Sequence, residues 1–250
     1  MSQLRDRAVV VTGASSGIGR AIALRCAQEG GRVLATGRRE DALRDLAAEA
    51  PPGHVHVHAA DLRDTGAPEA LIDAAIAHLG TVDGLVHAAG TVRRGEDIRE
   101  STDDEIAAFL DENLGVPLRV ARAVLRPMMA AGTGSLVLLG SQLAHISVPG
   151  YASYSAAKGG ITSLARALAV DAGPSGVRVN ALAPGVVKTP LAYVNRPGFD
   201  DQIEAIAALH PLRRIGAPED MAGPAVFLLS EQSAWMTGQT LIVDGGYTAQ

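Results

Sequence analysis

The chain has very little of several features that mark particular protein classes. Its 250 residues include one cysteine, Cys26, so an internal disulfide framework and a cysteine-based zinc site are excluded. No run of about 18 apolar residues occurs, which excludes a membrane-spanning helix. The 22 basic residues are outnumbered by 27 acidic ones, giving a net charge of −5. We therefore expect no nucleic-acid partner, since such a partner requires a clustered basic face.

Lysine is the scarcest cation, because 20 of the 22 basic residues are arginines and only Lys158 and Lys188 are lysines. Aromatic residues make up 3% of the chain, while apolar residues reach 47%, enough to bury a sizeable core. Residues 1–7 are polar and lead directly into an apolar segment, unlike a signal peptide. We expect a cytoplasmic protein.

Short apolar runs alternate with longer helical segments along the whole chain. The predicted strands are 8–12, 32–36, 54–59, 84–88, 134–140, 177–183 and 240–243. Near-continuous Val, Leu and Ile strands separated by helices indicate a parallel sheet that is buried on both faces. The sequence thus predicts a doubly wound, seven-stranded α/β (Rossmann) domain over residues 1–250, without an internal boundary. Residues 189–218 lack strand signal, and we interpret them as a substrate lid.

A glycine-rich turn follows the first predicted strand and leads into a helix. It reads Thr12-Gly13-Ala14-Ser15-Ser16-Gly17-Ile18-Gly19, with the spacing G-x-x-x-G-x-G. Glycines allow the backbone to approach a pyrophosphate, and the following helix N-terminus supplies free N–H groups. The turn therefore predicts a dinucleotide site.

The end of the second strand bears on the choice of dinucleotide. A carboxylate there would accept hydrogen bonds from the ribose of NAD, whereas an arginine favours the 2′-phosphate of NADP. The sequence has Thr36-Gly37-Arg38, with no carboxylate. We therefore predict NADP(H) in preference to NAD(H), with Arg38 at the phosphate. Asp61, after the third strand, is expected either to contact the adenine or to cap the next helix.

Tyr154 and Lys158 form a Tyr-x-x-x-Lys pair, which places both side chains on one face of a predicted helix. A phenol with a pKa near 10 is a poor base at neutral pH, and a neighbouring ammonium would lower that pKa. The pair suits proton exchange with an alcohol or a carbonyl. Ser141, after the fifth strand, could hold the substrate oxygen.

Together these motifs resemble the short-chain dehydrogenase/reductase family, in particular its 250-residue branch of 3-oxoacyl carrier-protein reductases and related alcohol dehydrogenases. The resemblance covers essentially the whole chain and includes Asn113, Pro184-Gly185 with Thr189, and the terminal Val243-Asp244-Gly245-Gly246. One departure is His87-Ala88-Ala89-Gly90, where the family usually has Asn-Asn-Ala-Gly.

The resemblance implies a catalytic set of Asn113, Ser141, Tyr154 and Lys158. Tyr154 would be the acid and base, Lys158 would lower its pKa and bind the nicotinamide ribose, Ser141 would orient the substrate, and Asn113 would maintain a proton relay. The implied cofactor contacts are Gly13, Ser15, Ser16, Gly17, Ile18, Gly19, Arg38, Asp61, Leu62, Ala89, Gly90, Tyr154, Lys158, Pro184, Gly185, Val187 and Thr189. The family also implies a homotetramer, formed here by the helical segments 101–131 and 153–172.

The substrate pocket is expected to include Leu143, His145, Tyr151 and Tyr193. Leu191, Tyr193 and Val194 in the lid favour an apolar or cyclic substrate over a densely charged one. His54, His56 and His58 alternate along one strand without a nearby carboxylate or cysteine, so we predict no metal site.

The sequence thus predicts an oxidoreductase that transfers a hydride between NAD(P)(H) and a small-molecule secondary alcohol or ketone. One alternative is a catalytically silent cofactor-binding sensor or scaffold, against which the complete Ser-Tyr-Lys-Asn set argues. Another is an isomerase or dehydratase with a tightly held cofactor, for which the short region after Asp220 leaves little room.

Overall fold

Apolar segments of the chain form one parallel sheet in the computed structural model, which describes residues 2–194 and 198–250. Within those residues the strands are β1 (Ala8–Thr12), β2 (Arg32–Gly37), β3 (Val55–Ala59), β4 (Gly84–His87), β5 (Gly134–Leu139), β6 (Val177–Pro184) and β7 (Thr240–Val243). Their order across the sheet is β3-β2-β1-β4-β5-β6-β7. The predicted seven-stranded doubly wound sheet is confirmed, with each strand end within one residue of its predicted position.

Helices cover both faces of the sheet. They are α1 (Gly17–Gln28), α2 (Glu40–Glu49), α3 (Ala67–Leu79), α4 (Asp103–Leu110), α5 (Val116–Ala131), α6 (Ala152–Ala172), α7 (Pro190–Tyr193), α8 (Phe199–Ala208) and α9 (Pro218–Leu229). One core lies between the sheet and α3, α5 and α6. A second core lies between the opposite face and α1, α2 and α9. The two cores make one continuous domain around the shared sheet.

The first strand shows why such apolar runs become central strands. All five residues of β1 are fully buried, and alternate side chains enter opposite cores, with Val10 on one face and Val9 and Val11 on the other. A strand with both faces covered needs apolar side chains at consecutive positions. β1 pairs in parallel with β2 on one side and with β4 on the other.

The predicted helical segment 101–131 is interrupted in the structure, and it begins two residues later than predicted. The helix begins after Thr102, whose side chain forms a capping box with Glu105. Between α4 and α5 the chain adopts a π-helical turn over Asp111–Gly115. This turn inserts an extra residue into the helix and changes the direction of the side chains within it. The periodic pattern of apolar residues in the sequence cannot reveal such a turn, because helix continues on both sides of it.

The strand order places a crevice beside β1. The chain moves outward from β1 through β2 to β3, then returns to β4 on the other side of β1. The connections after β1 and β4 therefore leave in opposite directions and open a crevice at the carboxyl ends of these strands. The glycine-rich turn lies at this position.

The region predicted as a lid, 189–218, contains α7 and α8 and a small apolar cluster of Ala192, Phe199 and Ile206. Pro197, which was part of that prediction, lies outside the described residues. Within residues 2–194 and 198–250, the longest apolar helices are still too short or too polar to cross a bilayer.

Replacing Leu136 on β5 by alanine tests the importance of the core beside α3, α5 and α6. Leu136 is completely buried in that core, so we expect the free energy of unfolding to fall by about 2–5 kcal/mol. Urea denaturation followed by circular dichroism measures the change. Ile76→Ala is the matched control, since Ile76 is 40% exposed on α3. Equal losses in both variants would show that this core does not dominate stability.

Candidate active site

The glycine-rich turn brings β1 and β4 into close backbone contact. Gly13 has a φ of 68°, and a Cβ at this position would lie 2.8 Å from the backbone nitrogen of Ala89. A Cβ on Gly19 would lie 2.4 Å from the Gly13 carbonyl oxygen. Side chains larger than hydrogen would therefore force the strand and the helix apart. The result is a bare backbone surface at the N-terminus of α1, which fits a pyrophosphate.

A cleft of about 490 Å³ follows this surface. Twelve of the predicted cofactor-binding residues line it: Gly13, Ser15, Ser16, Gly17, Ile18, Gly19, Arg38, Asp61, Leu62, Ala89, Gly90 and Thr189. Its walls include the residues that follow β1, β2, β3 and β4. A glycine cradle with walls from four strands fits a dinucleotide.

Charged side chains gather at the β2 end of the cleft. Arg38 is exposed on its wall, and Arg63 lies nearby, donating from Nε to Asp61 at 2.9 Å. The pKa of Asp61 falls to about 2, chiefly through this bond to Arg63 and also through the charge of Arg38. Asp61 is therefore ionised and already paired. The second arginine, Arg63, has no sequence signal that distinguishes it from the other exposed arginines.

Thr12 and His87 are the last residues of β1 and β4, at the strand ends beside which the crevice opens. The Thr12 hydroxyl accepts from the backbone N–H groups of Ala88 at 3.1 Å and Ala89 at 3.2 Å. Its own hydrogen is left for His87 Nδ1, which is 3.0 Å away. His87 is accordingly a neutral imidazole with its proton on Nε2, and this buried atom has no hydrogen-bond partner among the described residues. Burial, together with the charge of Lys158, lowers the pKa of His87 to about 3.

The π-helical turn positions Asn113. Asn113 is buried; its side-chain oxygen accepts from the backbone N–H of Thr91 at 3.1 Å, and its Nδ2 donates to the Phe109 carbonyl at 3.1 Å. A Cβ on Gly90 would lie 3.1 Å from the Asn113 oxygen and 3.9 Å from Lys158 Nζ. Gly90 thus lets the asparagine and the lysine approach one another.

Tyr154 and Lys158 lie one turn apart on α6, as their spacing predicts. Lys158 is buried, and its Nζ donates to the Leu139 carbonyl at 2.9 Å and lies 5.7 Å from the centre of the Tyr154 ring. Burial lowers the pKa of Lys158 to about 8. The ammonium therefore points to the end of β5 as well as toward the phenol.

Burial raises the pKa of Tyr154, and the neighbouring Ser141 hydroxyl and the Arg94 charge act in the opposite direction. The sequence-based expectation assigned the lowering to Lys158. In the structure the Ser141 hydroxyl and the Arg94 charge act to lower this pKa, and the Lys158 ammonium donates to the Leu139 carbonyl. Ser141 lies at the start of a short helical turn, where its Oγ accepts from the Leu143 N–H at 3.1 Å.

A second cavity, of about 370 Å³, contains these reactive groups. It is lined by Ser141, Tyr154 and Lys158, and by Pro184, Gly185, Val187 and Thr189, which are among the predicted cofactor contacts. Gly90, Leu139 and Thr189 are among the residues that border both cavities. The two spaces are therefore adjacent, and Ser141, Tyr154 and Lys158 lie in the wall of the second one.

The four predicted substrate residues are divided by the structure. Leu143 and Tyr151 line the cavity. His145 is exposed and does not border it. Tyr193 turns away, donating from its hydroxyl to Asp200 at 2.9 Å and packing edge-on against Phe199. Tyr193 thus supports the 189–218 segment from outside, whereas its neighbours Leu191 and Ala192 face the cavity.

Sequence reasoning missed several cavity residues, including Arg94, Gln142 and Tyr247. Gln142 follows Ser141 directly, and its Oε1 is buried without a partner among the described residues. Tyr247 comes from the C-terminal end of the chain. Arg94 is one of two adjacent arginines after β4, and nothing in the sequence shows which of the two faces the cavity.

The three alternating histidines make different contacts. His54 precedes β3 and lies 2.9 Å from the Gly31 carbonyl, while His56 stacks against His78 with ring centres 5.3 Å apart. Burial lowers the pKa of His58. In residues 2–194 and 198–250, His, Cys, Asp and Glu side chains form no group of three that could hold a metal ion.

Comparison with known proteins supports the family resemblance over almost the whole chain. A family model described as enoyl-(acyl carrier protein) reductase matches residues 13–248. The 3-oxoacyl-[acyl-carrier-protein] reductase of Chlamydia muridarum is 36% identical over 250 residues, covering 98% of each chain. This chain belongs to the short-chain dehydrogenase/reductase family.

Other family members extend the comparison to different substrates and to structure. The cis-4-hydroxycyclohexanecarboxylate dehydrogenase of Sinomonas cyclohexanicum is 36% identical over 246 residues, covering 98% of this chain and 97% of its own. The crystal structure of levodione reductase superposes with a TM-score of 0.93 at 29% identity, covering 98% of this chain and 99% of its own. The present chain is thus a short-chain dehydrogenase/reductase in sequence and in fold.

His87→Asn tests the neutral buried imidazole in this short-chain dehydrogenase/reductase. Between the folded pKa of about 3 and the unfolded value of 6.5, the unfolded chain binds more protons at this site, so stability decreases as pH falls. Lowering the pH from about 7.5 to about 5.5 should cost the native protein about 1.4 kcal/mol more than the variant. Urea denaturation at both pH values measures this difference.

His145→Asn provides the control for this experiment, since His145 is exposed. It should keep the native pH dependence. If His87→Asn and the native protein lose the same free energy on acidification, the inferred burial of a neutral His87 is wrong.

Proposed function

We propose that this protein is an NAD(P)(H)-dependent oxidoreductase that interconverts a secondary alcohol and a ketone, with Asn113, Ser141, Tyr154 and Lys158 as its catalytic set. The observation that carries the proposal is that Ser141, Tyr154 and Lys158 line one cavity, which shares wall residues such as Gly90 and Leu139 with the glycine-rich cleft. A substrate in the second cavity would meet the acid–base groups and the cofactor cleft together.

Each residue has a distinct part in this proposal. Tyr154 Oη gives a proton to the oxygen of a ketone, or takes one from an alcohol, while the Ser141 hydroxyl holds the same oxygen. The positive charge of Lys158, whose Nζ lies 5.7 Å from the centre of the Tyr154 ring, would add to the effects of Ser141 and Arg94 in favouring the phenolate. Asn113 fixes the loop at Thr91 and lies beside Lys158, where it orders the path by which the proton reaches solvent. The bound nicotinamide supplies the hydride or accepts it.

Tyr154→Phe tests the assignment of the acid and base. Removing the hydroxyl should lower kcat by roughly 10²- to 10⁴-fold in steady-state assays with a panel of ketones and alcohols. Binding of NADPH, followed by its fluorescence, should be retained because the glycine-rich cleft is unchanged. A folded variant with normal turnover would overturn the mechanism.

Tyr193→Phe is the matched control, since Tyr193 contacts Asp200 and Phe199 outside the cavity. It should keep near-native turnover. A native protein that binds NADPH but turns over no member of the panel would favour the alternative of a catalytically silent sensor or scaffold.

We infer that NADP(H) is preferred to NAD(H). Arg38 lies on the cleft wall at the end of β2, next to Gly37, so no carboxylate occupies the position that would bind a ribose diol. Asp61, the nearby acidic side chain, is already paired with Arg63. The net local charge supports binding of a 2′-phosphate.

Arg38→Asp tests this preference. The ratio of kcat/KM for NADPH to that for NADH should fall by roughly 10- to 100-fold, because a charged contact to phosphate is lost and a repulsive carboxylate is gained. Initial rates with each cofactor measure the ratio. Arg44→Asp makes the same charge change on α2, where Arg44 pairs with Glu40, and should leave the ratio unchanged. An unaltered ratio in Arg38→Asp would refute the assignment.

Two further features are part of the proposal. Segment 189–218 acts as a lid over the substrate, supported by Leu191, Ala192, Ile206 and Leu209 on the cavity wall.

The protein assembles as a homotetramer through the helices of 101–131 and 153–172, supported by the exposed apolar side chains Leu118 on α5 and Val170 on α6. Helix surfaces that expose large apolar groups are typical of subunit contacts.

A further inference from the structure

Arg94 is a cation in the second cavity, and among the described residues no acidic group forms an ion pair with it. It follows β4 and lines the cavity with Ser141, Tyr151 and Tyr154. Its Nη1 donates to the Tyr151 hydroxyl at 2.7 Å, while its Nε is buried and has no hydrogen-bond partner among the described residues. In the part of the chain that the structure describes, Arg94 is the only arginine with such an unpaired buried nitrogen.

The charged residues nearest to Arg94 in the sequence, Arg93 and Glu96, have other partners. The adjacent Arg93 pairs with Glu105 at 2.8 Å. Glu96, two residues after Arg94, accepts from the Ser153 backbone N–H at 2.8 Å and from its hydroxyl at 2.6 Å. Within residues 2–194 and 198–250, no carboxylate lies within ion-pairing distance of Arg94. An unpaired guanidinium in a partly buried site is unfavourable unless a ligand supplies the missing hydrogen bonds and a negative charge.

The remaining cavity lining favours a single anionic group on an apolar skeleton. Among the described lining residues, the only charged side chains are Arg94 and Lys158, and both are cationic. Apolar walls lie between and around them, with Leu143, Val148 and Val186 among their members. A chain with a net charge of −5 thus contains a positively charged cavity, whose uncharged lining includes the polar residues Ser141 and Gln142 as well as these apolar side chains. A volume of about 370 Å³ is enough for a small acid.

The position of Arg94 relative to the reacting groups is set by two tyrosines. Its guanidinium carbon lies 5.8 Å from the centre of the Tyr151 ring, and the Tyr151 and Tyr154 rings meet edge-on with centres 6.3 Å apart. An anion at Arg94 thus leaves a substrate carbonyl, a few bonds away, free to reach Tyr154 and Ser141. The planar guanidinium matches the two oxygens of a carboxylate.

We propose that Arg94, positioned by the Tyr151 hydroxyl, binds the carboxylate of a hydroxy-acid or oxo-acid substrate whose carbon skeleton is otherwise apolar. Turnover of such an acid rests on the proposed oxidoreductase function. Binding of its carboxylate by Arg94 does not depend on that function. It modifies the expectation of an apolar or cyclic substrate, because one negative charge is added at a defined end of the molecule. Arg94 is then the residue that selects acids over neutral ketones.

Matched acid and amide probes test the proposal directly. The turnover probes are 4-oxocyclohexanecarboxylate and its carboxamide, which share a skeleton and differ in charge. The native enzyme with NADPH should prefer the acid by at least about 10-fold in kcat/KM, chiefly through KM. Arg94→Gln should lose roughly 10- to 100-fold for the acid and change by less than about 3-fold for the amide. Arg93→Gln, the adjacent control, should retain the native preference.

Binding measurements separate this proposal from the proposed function. Isothermal titration of the native protein, with NADP present, should detect cyclohexanecarboxylate more strongly than cyclohexanecarboxamide, and Arg94→Gln should abolish the difference. That result without any turnover would support the Arg94 site and overturn the proposed oxidoreductase activity. Turnover of both probes without preference by the native enzyme would overturn the Arg94 site alone.

A second variant guards against failure of Arg94→Gln to fold. Arg94→Lys keeps the charge but not the two-pronged geometry, so it should retain part of the acid preference. Equal losses for the acid in the Arg93→Gln and Arg94→Gln variants, or a native acid preference in Arg94→Gln, would contradict the proposal. The native acid-to-amide ratio remains decisive even if neither Arg94 variant folds.

Discussion

The hydroxyl of Thr12 joins β1 to β4 where the sheet reverses its order, and the rest of the site depends on this contact. The hydroxyl accepts two backbone N–H groups from Ala88 and Ala89 and donates to His87. These bonds hold the ends of the two strands at a fixed separation. Only glycine at position 13 permits so close an approach, since a Cβ would collide with Ala89. The cleft for the dinucleotide lies directly above this junction.

The same junction forces several ionisable groups out of water. Lys158, His87 and Tyr154 all lie close to it, and burial shifts each pKa in the direction that favours the neutral form. The Leu139 carbonyl partly compensates Lys158, whereas the Nε2 proton of His87 has no partner in the described structure. Burial of these polar groups lowers stability, a pattern that is common at active sites.

Much of the fold was predictable because burial on both faces leaves a strong pattern. β1 is apolar at nearly every position, as a central parallel strand must be. Tyr154 and Lys158 could also be paired by their spacing, since a helix of regular period connects them. The π-helical turn at Asn113 was not predictable in this way, because its flanking helices have the same residue types as an uninterrupted helix. His145 and Tyr193 were assigned to the cavity by their position in the chain, and their side chains lie outside its lining.

By itself the sequence determined the class of the fold, the glycine-rich turn and the order of Ser141, Tyr154 and Lys158, because these depend on local spacing and hydrophobic period. Only the tertiary structure decided that Arg94 rather than Arg93 faces the cavity, and that Glu96 is occupied by Ser153. The two arginines are chemically identical, and their difference arises from which carboxylates the fold brings within reach. Contacts between distant segments set the charge of the cavity, and no local pattern encodes them.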